Sequence, residues 1–256
     1  MAQLTVIIAL LALALTGCIT TTTGAAKPAR SSPNEAAGYN MQLGISYLRQ
    51  NKLQAARNKL ETAIKLDPNL ATAHAALGLV FERLEDPAGA EREYRRAADL
   101  EPNNPDNLNA LAVFTCQRKA EPKEALRLFD KALAIPLSVS AANRAMLNTN
   151  AGTCAKSIDP VRAEGYLRAA LAENPDYSDA LFPLAEITLG AGRALQARAF
   201  IERYLAASPP SPAALWLAVR IERALNDSVS AEKYADELSK QFPNSDEARQ
   251  LRESKS

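Results

Sequence analysis

The thiols and imidazole of this 256-residue sequence, the softest nucleophiles and metal ligands a chain carries, number four: Cys18, Cys116, Cys154 and the single histidine, His74. A zinc site gathers three or four His, Cys, Asp or Glu ligands, and one histidine with three widely separated cysteines does not suggest such a set. No serine sits in a Gly-x-Ser-x-Gly elbow, and neither a phosphate-binding loop nor a dinucleotide-type glycine pattern occurs. The sequence therefore argues against an enzyme and against a metal or organic cofactor. What remains is thiol chemistry, a thioether or a disulfide.

The elements that must position these residues are helical. Ala, Leu, Glu, Arg and Lys, the strong helix formers, dominate, while aromatics are 5% and glycines number 10. At 47% hydrophobic and 23% charged the chain has the composition of a globular protein, which excludes disorder over most of its length. Lys+Arg number 30 against 29 Asp+Glu, a net charge of +1 with no basic cluster. Counterion release needs a basic surface, so a nucleic-acid partner is not expected. The expectation is an all-α protein.

Cys18 closes a leader. Val6 to Leu15 is an unbroken apolar run followed by Thr16-Gly17-Cys18 and then a stretch rich in Thr, Ala and Pro. This is a signal-peptide pattern over residues 1–17; at about 1.5 Å per residue it reaches about 25 Å, short of the roughly 20 apolar residues of a membrane span. Leu15-Thr16-Gly17-Cys18 resembles a bacterial lipobox, which implies cleavage before Cys18 and lipid on that cysteine. Acyl chains contribute about 0.8 kcal/mol per buried methylene, so several anchor a protein stably. No Lys or Arg precedes the apolar run, a departure from the usual signal peptide. The competing reading is an ordinary secreted protein. Ile19 is not the aspartate that retains resembling lipoproteins in the inner membrane, so the expected location is the outer membrane, facing the periplasm. Residues 18–34 read as a tether, because they offer too little apolar surface to fold.

A ruler runs through residues 35–256. Pro68, Pro102, Pro136, Pro175, Pro209 and Pro243 are spaced by 34, 34, 39, 34 and 34 residues, and proline ends a helical stretch wherever it falls. With proline at position 32, the windows are 37–70, 71–104, 105–139, 144–177, 178–211 and 212–245. The first carries Asn40, Leu43-Gly44, Tyr47, Ala56, Leu60, Ala63 and Pro68; the second repeats His74, Leu77-Gly78, Phe81, Ala90, Tyr94, Ala97 and Pro102. The fourth carries Leu147, Asn150-Ala151, Cys154, Ala163, Leu167, Ala170 and Pro175. The third holds an extra residue near Lys119 to Pro122, and a longer connection is expected around Ser138 to Asn143. Small residues at positions 8, 20 and 27 let paired helices approach, and large ones at 4, 7, 11 and 24 fill the gaps. Such hairpins cannot bury their apolar stripes alone and must stack. Ser245 reads as the N-cap of a final short helix ending near Arg252.

These marks resemble the tetratricopeptide repeat, which implies a superhelix of six helix-turn-helix repeats with a concave groove. In that family positions 2, 5, 9, 12 and 13 of the first helix face the groove. Carried over, these are Gly38, Met41, Ile45, Leu48 and Arg49, then Thr72, Ala75, Leu79, Glu82 and Arg83. Asp106, Asn109 and Gln117, then Asn148 and Lys156, then Asp179, Phe182 and Glu186 continue it. Met41, Ile45, Leu48 and Leu79 would form an exposed apolar patch, the usual mark of a binding surface, grading into a more polar groove suited to an amphipathic or extended peptide. The carry-over also places Cys116 and Cys154 on adjacent first helices, where a bridge would close a loop of 38 residues; a pair of buried free thiols is the alternative. His74 falls at a packing position and reads as a core residue.

Lipobox, tether and six repeats together resemble the PilF/PilW-type type IV pilus lipoproteins, or pilotins. The local matches are Tyr39-Asn40-Met41-Gln42-Leu43-Gly44-Ile45-Ser46-Tyr47-Leu48, Ala55-Ala56-Arg57, and Ala73-His74-Ala75-Ala76-Leu77 to Val80-Phe81-Glu82. The resemblance implies a monomeric outer-membrane lipoprotein that helps the secretin subunit reach the outer membrane and multimerise for twitching motility. The rival expectation is a generic periplasmic scaffold serving β-barrel or cell-wall machinery.

Overall fold

The computed structural model describes residues 33–136 and 143–254 and, within them, thirteen helices and no strand. The leader, Cys18 and most of the tether lie outside the described residues, as does most of the long connection expected around Ser138 to Asn143. The helices are α1 (Pro33–Arg49), α2 (Leu53–Leu66), α3 (Ala71–Arg83), α4 (Pro87–Leu100), α5 (Pro105–Gln117), α6 (Pro122–Ala134) and α7 (Arg144–Ala155). They continue as α8 (Pro160–Glu173), α9 (Ser178–Gly190), α10 (Ala194–Ala207), α11 (Pro212–Ala224), α12 (Ser228–Gln241) and α13 (Asp246–Glu253). Helix α1 begins at Pro33, so the last two residues assigned to the tether are already helical.

Local chemistry starts and stops these helices. Proline occupies the first turn of α4, α5, α6, α8 and α11, where its missing N–H costs nothing. Asp86, Asn104, Asn143, Asp159, Ser211, Asp227 and Ser245 accept backbone N–H bonds as N-caps. Five turns inside hairpins reverse through a left-handed residue: Asn51, Glu85, Ala120, Gly192 and Asn226.

Consecutive helices pair as six antiparallel hairpins, and α13 packs on α11 and α12. First helices of neighbouring hairpins pack with their backbones close together (α1 with α3, α3 with α5, and so to α11), whereas second helices of neighbouring hairpins stand farther apart and meet through long side chains, as where Arg162 and Tyr166 of α8 reach Asp130 of α6. Rows that touch on one side and splay on the other must curve, so the first helices form the inner wall. Gly44 and Gly78 make the close approaches within hairpins: a Cβ there would stand 2.7 Å from Leu60 and 2.8 Å from Tyr94. In the fourth hairpin Gly152, not Ala151, meets the corresponding residue, 2.6 Å from Leu167. The first helix of that repeat is therefore shifted by one position, and its turn is the one without a left-handed residue among those described.

Candidate partner-binding groove

The inner wall is set by α1, α3, α5, α7, α9 and α11. In α1, Met41 and Ile45 are half-buried against the N-terminal core cluster, and in α3 so is Leu79. Leu48, expected in the exposed patch, is only 6% accessible and belongs to the core. Its place in the last turn of α1 explains this, because Arg83 of α3 reaches across to donate to the Leu48 carbonyl at 3.2 Å. The opening of the groove is thus a half-open apolar floor of Met41, Ile45, Ala75 and Leu79, bounded by exposed Arg49, Thr72 and Arg83, with Gly38 half-buried.

Further along, the wall is tied rather than open. Glu82 accepts from Tyr94 Oη at 3.0 Å and from Arg118 Nε at 3.1 Å, joining α3 to the end of α5. Asn109, expected to face a partner, is buried and accepts from Asn150 Nδ2 at 2.9 Å, joining α5 to α7. Lys156 donates to Glu186 at 2.6 Å, joining the end of α7 to α9. Asp106, Gln117 and Asp179 stay exposed, and Phe182 is half-buried with its ring 5.5 Å from Tyr204. Asn148 is buried and donates to the Arg144 carbonyl; with the one-residue shift, Met146, Thr149, Thr153 and Lys156 take the groove positions of this repeat. The cross-helix ties were missed from the sequence, although oppositely charged residues near the ends of successive first helices were a readable signal.

Burial and the neighbouring Glu82 charge push the Tyr94 phenol above its ordinary range, so it donates throughout the accessible pH range. His74 is buried, with Nδ1 2.8 Å from Glu93 and Nε2 3.1 Å from the Pro68 carbonyl. Burial opposes ionisation of Glu93, but hydrogen bonds from His74 and Arg92 hold its carboxyl below the ordinary value. This explains a structural histidine: one ring nitrogen is used within the second repeat, by Glu93, and the other by the Pro68 carbonyl at the end of the first.

Cys116 and Cys154 form a disulfide between α5 and α7, with Cα atoms 6.1 Å apart. At the same junction Arg144 donates to the Leu133 and Ile135 carbonyls at 2.7 and 2.6 Å, fastening the start of α7 to the end of α6. At the next junction, a cavity of about 390 Å³ opens on the turn edge, lined by Lys156, Val161, Glu164, Glu186, Ile187 and Arg193 among others. No group of three or more His, Cys, Asp or Glu residues among the described residues is placed to hold a metal ion.

Profiles of the tetratricopeptide repeat match residues 41–105 and 156–214. The type IV pilus assembly protein PilF of Pseudomonas aeruginosa is 26% identical over 239 residues, 92% of each chain. The crystal structure of PilW, a type IV pilus biogenesis factor, superposes with a TM-score of 0.78 at 28% identity, over 85% of this chain and 99% of PilW. The solved Pseudomonas aeruginosa PilF shares the fold, with a TM-score of 0.79 at 24% identity over 88% of this chain and all of that one (100%).

Proposed function

Because the chain is a PilF/PilW-type tetratricopeptide-repeat protein, we propose that it is an outer-membrane lipoprotein of type IV pilus biogenesis. In this reading lipid on Cys18 holds it at the periplasmic face, and it helps the secretin subunit reach the outer membrane and multimerise. It binds and delivers rather than transforms its partner. The observation that supports this most is the similarity to a type IV pilus assembly protein along 92% of both chains. The half-open floor of Met41, Ile45 and Leu79 supplies apolar contact area, and Arg49 and Arg83 at its edge supply orientation.

Deleting the gene is expected to abolish twitching motility and the secretin multimers seen on denaturing gels. Normal multimers in that strain would remove the reading in favour of a general scaffold. Cys18→Ser is expected to leave a folded protein in the soluble periplasmic fraction and to lower the secretin signal in the outer membrane. Replacing Met41 and Ile45 together by Asp, with Leu48 kept because it is core, tests the groove. A variant with a normal melting curve that still assembles secretin would show that the groove is not the contact.

A further inference from the structure

The two ends of the repeat stack are finished differently. At the C-terminal end α13 lays Ala248 and Leu251 against Leu215, Val219, Ala235 and Leu238, so the last hairpin is capped by the chain itself. At the N-terminal end nothing among the described residues covers α1, and two large apolar side chains stand there: Tyr39, 67% exposed, and Leu43, 39% exposed. Leu43 was expected to be a packing residue, and its counterparts show why. At the same position in later repeats Leu77, Leu111, Ala151, Leu184 and Ala218 are all buried, on first helices that each pack against the second helix of the hairpin before. The counterparts of Tyr39 are Ala73, Asn107, Leu147, Ala180 and Ala214, again all buried. The outer face of α1 is thus half of a repeat-to-repeat interface that lacks its other half. Solenoid ends of soluble proteins normally carry a polar outer face, and this one does not. The preceding residues, 19–32, cannot supply the missing half, since Ile19 is their one large aliphatic side chain.

We propose that this end face is a docking site for an amphipathic helix of the protein partner, which stacks on α1 as the second helix of a preceding repeat would. The inference rests on the partner-binding reading above, and continuity with that groove favours this occupant: Met41 and Ile45 line the floor from the same helix that carries Tyr39 and Leu43. Tyr39 and Leu43 are four residues apart, so they form one ridge on α1. A helix with apolar residues at i, i+3 and i+4 and polar flanks would fit it, with the exposed Gln42 and Ser46 meeting those flanks. Tyr39 stands where other repeats carry smaller residues, so the visiting helix needs a small residue opposite it.

The test uses the full-length lipidated protein in cells, with p-benzoylphenylalanine introduced separately at positions 43 and 41. Photolysis at 43 is expected to give an adduct with the partner that position 41 captures, mapping to a segment with helical apolar spacing. An adduct at 41 with none at 43 overturns the end-face proposal and leaves the groove reading standing. An adduct at 43 with a second copy of this chain, or with lipid alone, also overturns it, as does one mapping to an extended Pro- or Gly-rich segment. Tyr39→Ala with Leu43→Arg is expected to weaken partner binding about tenfold or more. The same variant should leave the melting curve unchanged, because both side chains are exposed.

Discussion

Glu164 shows how a single carboxylate ties two repeats. It sits on α8, accepts from Arg193 beyond the end of α9 and from Arg168 one turn along its own helix. The Arg193 hydrogen bond, against an opposing cost of burial and with help from Arg168, holds its carboxyl down to about 2. A carboxyl whose value is lower folded than unfolded (about 4.3 unfolded) contributes stability that is fully present above the unfolded value. That stability is lost as the pH falls towards about 2. Wild type should therefore lose stability more steeply than Glu164→Gln between about pH 5 and pH 2, and equal slopes in denaturant melts across that range would contradict the assignment. Leu48 marks the limit of reading at this scale: its repeat position says groove, but at the end of α1 the side chain turns into the core beside the chain that Arg83 holds. Such end effects depend on a neighbouring helix and are not written in periodicity.

Among the elements, α7 departs most from the pattern of the others. Ala151 and Gly152 are both small, so the small-residue mark fits either, and only the contact with Leu167 selects the glycine. Adding one methyl at Gly152 should overpack the fourth hairpin and cost about 1–3 kcal/mol, while Ala151→Gly should cost nearer the helix-propensity difference of about 1 kcal/mol. Thermal melts of the two variants decide between the registers, and a Gly152→Ala protein as stable as wild type would restore the unshifted one. The six hairpins, the extra residue before Pro122 and the closing helix after Ser245 were legible because proline and small-residue positions are imposed by close packing within each hairpin. The one-residue shift of the fourth repeat was not, because its signature is a turn without a left-handed residue among those described, and backbone sign leaves no trace where several residue types can adopt it.

Across the molecule, two large core clusters meet at α7, which gives Leu147 to the N-terminal one and Ala151 and Cys154 to the C-terminal one. The disulfide lies on the C-terminal side of this boundary, with Cys154 in that cluster and Cys116 packed against it. By loop entropy alone, closing 38 residues contributes roughly 4 kcal/mol. Reduction, or Cys116→Ser with Cys154→Ser, should lower the denaturation midpoint. An unshifted midpoint would show that the bridge adds nothing to stability. Both cysteines could be placed on neighbouring helices from the repeat alone, and so could the helix that closes the C-terminal end, whereas the exposure of Tyr39 and Leu43 at the other end could not, since it depends on what packs beyond the sequence pattern. The bridge also sets how far this molecule can be drawn out. A solenoid pulled from its two ends unravels like a coiled thread, but the 38-residue separation locked between Cys116 and Cys154 withholds about 130 Å of thread at about 3.5 Å per residue. In an oxidising compartment, a load on this chain meets a shorter, stiffer line than its length in residues implies.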